Sequence, residues 1–310
     1  VISIIIPTLN AEKRIHRLLV SLKSQTVPCD IVVIDSSSND GTVNIAKSNG
    51  ARTIIIERGD FNHGGTRNRA SREVEGDILV FLTHDAVLAD DSAIENLIRP
   101  FSDDEMIGAS YGHQLPRPGA GAIEAHARLF NYPSESITKN MTDVSRLDIR
   151  TAFISNSFAA YRRIALFDVE GFPSDIIFGE DMFVGAKMLL AGWKIAYCAE
   201  AKVYHSHKYG YINEFKRYFD IGVFHSREQW IRKSFGQSEG EGMRFVSSEL
   251  KYLWYNNPLL IPSAILRTAL KLIGYKVGFF ERHLPHWLKS RLSMNAPFWE
   301  SKIRKGLNKC

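Results

Sequence analysis

Apolar and polar positions alternate in short blocks through the N-terminal two thirds of the chain. Ile2-Ser3-Ile4-Ile5-Ile6 is a β-rich run stopped at Pro7, and Glu12–Lys23 places Ile15, Leu18, Leu19 and Leu22 at helical spacing. Residues 31–34 predict a second strand, and Asp40 stands where it can cap a helix over Thr42–Ser48. A third strand over residues 53–56 precedes Gly64-Gly65, which leads into a short polar helix through Ala70. Residues 77–82 form a fourth apolar run, ending in Thr83-His84-Asp85-Ala86. Units of this length require a mostly parallel sheet covered by helices.

From about residue 108 to 154 the pattern loosens, and Leu115-Pro116-Arg117-Pro118-Gly119-Ala120-Gly121 reads as a loop able to close over a substrate. Residues 181–190 are helical, with Gly192 as the stop, and residues 194–197 and 203–205 predict two short strands. Beyond Tyr209 aromatic and basic residues dominate. Residues 258–280 are rich in Leu, Ile and Ala, and Arg267, Lys271 and Lys276 are spaced to lie near one helical face. The expected organisation is an α/β domain over residues 1–207, followed by a basic, aromatic helical region over residues 208–310.

Composition narrows the class. The 310 residues are 45% hydrophobic and 24% charged, as in a soluble globular protein able to bury a core without staples. The cysteines Cys29, Cys198 and Cys310 form no disulfide framework or zinc spacing, which points to a reducing compartment. No run reaches the ~18 apolar residues of a membrane span. Residues 1–6 lack the basic leader of a signal peptide. The net charge of +5 divides into +10 for residues 208–310 and −5 for the remainder. A basic tail on an acidic body suits an anionic partner, either nucleic acid, anionic lipid or a lipid-linked phosphate.

Candidate chemistry sits at element ends. Asp85 closes a buried strand, where open α/β sheets bind ligands. Asp35 closes the second strand within Ile34-Asp35-Ser36-Ser37-Ser38-Asn39-Asp40-Gly41, where it could accept from a ring N–H or a ribose hydroxyl; ordinary turn chemistry explains the same residues. In Phe61-Asn62-His63-Gly64-Gly65-Thr66-Arg67-Asn68 the glycines could bring amides to a phosphate and Arg67 could neutralise it, or the pair could simply open a helix. His205-Ser206-His207 offers ring nitrogens which, with Asp85, suit Mn²⁺; a structural histidine pair is the other reading. Asp181, after Gly179-Glu180, stands at a helix start whose dipole favours the ionised carboxylate of a general base.

Taken together these motifs resemble glycosyltransferase family 2, the inverting enzymes of the GT-A fold, over roughly residues 2–207. Ile5-Ile6-Pro7-Thr8-Leu9-Asn10 is similar to the family's opening strand, Thr83-His84-Asp85 stands in the place of its Asp-X-Asp motif, and Gly179-Glu180-Asp181 resembles its acidic motif. The first acid of Asp-X-Asp is Thr83 here, so Asp85 alone carries over as ligand; this and Phe61 to Asn68 are similar to the rhamnosyltransferase branch. The resemblance implies Asp181 as base and Mn²⁺ or Mg²⁺ on Asp85 and His205, with His207 as the alternative to His205. It implies a donor site drawing on Thr8, Asp35, Arg67, His84, Asp85 and Glu180, with Asn156 on donor or acceptor and Trp193 stacking on a sugar. The implied donor is a nucleotide sugar, dTDP-L-rhamnose, or alternatively a UDP- or GDP-linked sugar. The implied acceptor is a lipid-linked saccharide in bacterial surface polysaccharide assembly. The place is cytoplasmic, peripheral on the anionic inner face of the plasma membrane. A non-catalytic nucleotide-binding scaffold is the rival class; no nucleic-acid module is recognisable.

Overall fold

The computed structural model describes residues 1–236 and 239–300. Residues 301–310, which end the expected C-terminal region and include Cys310, lie outside the described residues. Two units are present. One comprises Val1–Ala120, Ala127–Ser174 and Glu180–Ser206; the other comprises Gly121–His126, Asp175–Gly179 and the chain from His207. The two short excursions have no signature in the sequence.

The first unit is built on one sheet. Its strands are β1 (Ile2–Thr8), β2 (Asp30–Asp35), β3 (Arg52–Ile55), β4 (Ile78–Leu82), β5 (Val87–Leu88), β6 (Ile107–Leu115), β7 (Ile137–Lys139), β8 (Phe158–Arg162) and β9 (Lys194–Tyr204). They lie in the order β3-β2-β1-β4-β8-β6-β9-β5, with β7 added to β9. The first four are mutually parallel. β8 runs antiparallel to both β4 and β6, and β6 is parallel to β9. Six strands therefore finish at one edge, and β8 starts there. Ile4, Ile5 and Ile6 are all fully buried, because helices cover both faces and a continuous apolar run is what such a strand needs. The helix α1 (Glu12–Lys23) turns Ile15, Leu18, Leu19 and Leu22 onto Ile4, Ile6, Val33 and Val80 in one core cluster.

Three elements differ from the sequence pattern. β1 continues through Pro7, which pairs in register with Ile34. Thr8 directs its carbonyl at Ser36 N on the β2 side, so the missing Pro7 N–H faces β4, whose ladder with β1 ends at Ile5–Phe81 and needs no donor there. β6 replaces the expected irregular stretch. It is buried along nearly all its length although it reads Ile-Gly-Ala-Ser-Tyr-Gly-His-Gln-Leu. A Cβ on Gly112 would stand 2.3 Å from the Phe158 ring and 2.5 Å from the Ala201 carbonyl, so close neighbours demand the residue that weakens the strand signal. The two short strands after Gly192 are one, β9, because β6 offers a parallel partner along its length, with register irregularities at Ile107–Ala109 and Gly112–His113.

The second unit is helical, with helices over Tyr211–Arg227, Gln229–Phe235, Glu239–Asn256, Ile261–Phe279 and His286–Leu292. The helices Tyr211–Arg227 and Ile261–Phe279 meet backbone to backbone. A Cβ on Gly222 would lie 2.2 Å from Tyr275 O, and one on Gly278 would lie 2.0 Å from Phe219 O. The basic residues of this unit are not one surface stripe. Arg267 turns inward to pair with Glu214 at 2.8 Å, and Lys271 lies over the Tyr218 and Phe245 rings. Lys276 is exposed on the opposite side of its helix, so the expected shared face of the three does not exist. Arg227 and Lys289 are likewise spent on the buried Glu281.

Gly278→Ala forces a methyl group into a carbonyl that cannot yield, and is expected to cost about 1–3 kcal/mol; chemical denaturation of the variant against wild type measures it, and an unchanged midpoint would refute the close helix contact.

Candidate active site

The shared edge of six strand ends collects most of the chemistry. Thr8 and Asp35 finish β1 and β2 in register. Thr8 Oγ1 donates to Asp35 Oδ2 at 2.7 Å; Ser38 donates its amide to Oδ1 at 2.8 Å and its hydroxyl to Oδ2 at 2.6 Å. The fully buried Asp35 thus ties β1 to the turn after β2, whose Ser37 adopts a positive φ of 56°. Asn10 and Ser38 lace the two loops together through Asn10 N to Ser38 Oγ and Asn39 N to Asn10 Oδ1. Asp35 therefore does the turn work that its neighbours predict, and it does so at the rim of the ligand edge.

Asp85 follows β4 and is 6% exposed. Arg117 donates to its Oδ2 at 2.9 Å and to its carbonyl at 2.7 Å, and Arg14 stands 3.9 Å away. The segment that reads as a loop is thus anchored on the site, and Arg117 N donates to Ser206 Oγ beside His205. His205 Nδ1 lies 2.9 Å from Gln114 Oε1. That oxygen also accepts from Arg128 at 2.7 Å, while Gln114 Nε2 donates to Ser155 Oγ, so the amide orientation is set by its neighbours. The ring proton consequently sits on Nδ1, and Nε2 presents a lone pair towards Asp85 Oδ1 at 3.4 Å. Burial pushes the His205 pKa down against the pull of Asp85. The oxygen and nitrogen donors of Asp85 and His205, within 4.8 Å of each other, fit a divalent ion of the Mn²⁺ type. His207, two residues on, carries a further ring nitrogen at the start of the second unit. His84 lies beside Asp85 in sequence, and burial holds its pKa down against the pull of the Asp85 charge. The buried Thr83 hydroxyl has no hydrogen-bond partner among the described residues.

The third group joins α3 (His63–Arg72) to the helix Glu180–Leu190. Asn62 caps α3 by accepting from Gly65 N. Gly64 is required by packing, since its Cβ would fall 1.9 Å from Pro173 O, whereas a Cβ on Gly65 would make only ordinary contacts. One turn into α3, Arg67 is 5% exposed and meets Glu180 Oε1 at 3.0 Å. Gly179, with φ of 77°, makes the turn that brings Glu180 and Asp181 to this place. Asp181 Oδ2 accepts from Asn156 N at 3.1 Å and Oδ1 from Met182 N at 2.8 Å. Asn156, just before β8, accepts from Tyr161 OH at 2.8 Å and reaches Glu180 with its amide, so its polar atoms hold the acids in place.

The two neighbouring acids titrate apart. Burial pushes Glu180 up, but Arg67 and His63 pull harder and leave it depressed. Burial and then the Glu180 charge push Asp181 up to about 6. The helix-start amides favour the ion, as the sequence suggests, but desolvation outweighs them. An ionised carboxylate with a raised pKa is a stronger proton acceptor than an ordinary one.

Trp193 is not part of this edge. It precedes Lys194, the first residue of the eleven-residue β9, whereas His205 follows the last, at the opposite end of the strand. Its Nε1 donates to Asp168 at 2.9 Å, and its side chain covers Gly108. A sugar-stacking role for Trp193 is therefore ruled out by the strand direction. Arg117, Gln114, Tyr161 and Ser38 are the site residues that sequence reasoning passed over. Only Arg117 had a signal, a basic residue between two prolines in a predicted loop.

Comparison with known proteins bears on this arrangement. Residues 3–169 match the family described as Glycosyl transferase family 2. The O-antigen chain rhamnosyltransferase RfbN of Salmonella typhimurium is 48% identical over 303 residues, covering 97% of this chain and 96% of that protein. The O-antigen chain rhamnosyltransferase WbaN of Salmonella anatum is 45% identical over 302 residues, covering 96% of each. Among solved structures, the mannosyltransferase PcManGT from Pyrobaculum calidifontis, in complex with GDP-Man and Mn²⁺, aligns with a TM-score of 0.62 at 17% identity, over 91% of this chain and 88% of that one. Staphylococcus aureus TarS 1-349 in complex with UDP-GlcNAc aligns at 0.53 and 17% identity, over 91% of both. With the family pattern running through its sheet and relatives matching it nearly end to end, this chain is a glycosyltransferase of family 2 with the GT-A fold.

Proposed function

We propose that this protein transfers L-rhamnose from dTDP-L-rhamnose to a hydroxyl of a lipid-linked glycan, with inversion, during assembly of a bacterial O-antigen. The observation that carries the reading is the near full-length identity to two O-antigen chain rhamnosyltransferases. The nucleotide lies along the strand ends, with Thr8 and Asp35 at the base or ribose and Thr83 free to hydrogen-bond the donor. Asp85 and His205 would hold Mn²⁺ or Mg²⁺, which when bound supplies Lewis-acid stabilisation of the departing diphosphate. Gln114 fixes the tautomer that turns His205 Nε2 to that place. Asp181, aimed by the Asn156 and Met182 amides, takes the proton of the acceptor hydroxyl as that oxygen attacks the anomeric carbon. Arg67 compensates Glu180 so that only one of the two acids is left to act as base. The enzyme works in the cytoplasm against the anionic inner face of the plasma membrane, where a lipid-linked acceptor is presented. The excess of basic residues after residue 207 supports that surface.

Incubated with a panel of dTDP-, UDP- and GDP-sugars and a lipid-linked glycan, the protein is expected to consume dTDP-L-rhamnose selectively; equal turnover of a UDP- or GDP-sugar would refute the donor. Asp181→Asn is expected to lose about 10²–10⁴-fold in kcat. Since the base must be ionised, wild-type kcat/KM should fall roughly tenfold per pH unit below a midpoint near 6 and stay level above it; a flat profile would remove Asp181 from the role. Gln114→Leu should raise the Mn²⁺ concentration needed for half-saturation by about 10–100-fold, read by metal titration, with the fold unchanged.

A further inference from the structure

The helix Ile261–Phe279 is built inside out. Its inward side carries Arg267, Lys271, Gly274 and Gly278, the first two held by Glu214 and by aromatic rings. Its exposed side carries Ile265, Leu266, Ala269, Leu272 and Ile273, which at 3.6 residues per turn fall with Lys276 in one arc of about 120°. A helix facing water shows the reverse pattern. Exposed apolar residues also flank the helix in sequence. Trp254, Tyr255 and Leu259 precede it, with Tyr255 77% and Leu259 89% exposed, and Phe280 follows it in the open. Exposed basic residues accompany the apolar ones: Lys251 lies one helical turn before Trp254, Lys276 is on the stripe itself, and Arg282 follows Phe280.

We infer that this face is a bilayer-insertion surface, whose apolar side chains enter the headgroup–acyl boundary of an anionic membrane. This rests on the membrane reading given above and changes its mechanism. The inward basics Arg267 and Lys271 are consumed inside the protein, so attachment comes chiefly from apolar burial, with Lys251, Lys276 and Arg282 meeting anionic headgroups. The tryptophan and tyrosine that precede the apolar stripe suit the interfacial layer, where one side of the ring is dry and the other wet. The net charge of +10 after residue 207 matches an anionic lipid surface and opposes pairing of this face with a second copy of itself.

Flotation of the full chain on phosphatidylcholine–phosphatidylglycerol vesicles tests the inference. Wild type is expected to float and to stay bound in high salt, which screens charge but not apolar burial. The double variant Leu266→Glu/Ile273→Glu is expected to lose about tenfold or more in partitioning while keeping wild-type circular dichroism and donor hydrolysis. In the unaltered chain, vesicles with brominated acyl chains should quench tryptophan emission, and Trp254→Phe should reduce that quenching. Flotation that survives in the double variant, or that salt abolishes, overturns the insertion face and leaves membrane attachment standing. Absence of wild-type flotation overturns both. A wild-type dimer made monomeric by the double variant would reassign the face to self-association.

Discussion

Arg67 and Glu180 meet at 3.0 Å with almost no access to water, and the candidate active site is arranged around that pair. The two residues come from helices more than a hundred positions apart, so their contact joins the N-terminal βα units to the later half of the sheet. A buried ion pair adds little net stability, but removing one partner leaves a bare charge and costs about 3–5 kcal/mol. Its consequence here is electrostatic. Arg67 satisfies Glu180, while burial and then the Glu180 charge raise Asp181, so two adjacent acids of nearly equal intrinsic strength are driven to different protonation behaviour. That separation of two neighbouring carboxylates is what the proposed role of Asp181 as base draws on.

The same division of labour recurs at Asp85. Arg117 and His205 approach the carboxylate from different elements, and the ring of His205 is held by Gln114, which Arg128 and Ser155 hold in turn. Gln114 lies at the end of β6, the strand whose glycines let Phe158 and Trp193 come close. The packing of the sheet and the aim of a ring nitrogen are therefore one problem. A change in β6 that opens the sheet would also misplace His205.

In the helical unit close packing and charge are again linked. Glycines let two helices touch, and the long basic side chains near that contact turn inward to Glu214, Glu281 and aromatic rings, leaving apolar side chains outside. The overall basic charge of the region is a sequence property, but how much of it faces solvent is set by these internal pairs.

Much of the molecule was legible in the order of its residues. Short apolar runs such as Ile2 to Ile6 and residues 78–82 can only be strands buried on both faces, and α1 follows from the spacing of Ile15, Leu18, Leu19 and Leu22, because burial and periodicity are local demands. Acids at strand and helix ends marked the reactive edge for the same reason, since a charge at the end of a buried element must face a ligand, a partner or water. Other features depended on neighbours distant in sequence. β6 was hidden because its small and polar residues answer to Phe158 and Ala201. Trp193 fell at the wrong edge because strand direction is a property of the sheet. Arg117 and Gln114 gained their roles only when folding brought Asp85 and His205 beside them. Local pattern determined which elements form and where their charges end; only the tertiary structure decided which charges meet, and hence that Glu180 is held ionised by Arg67 while its neighbour Asp181 is raised.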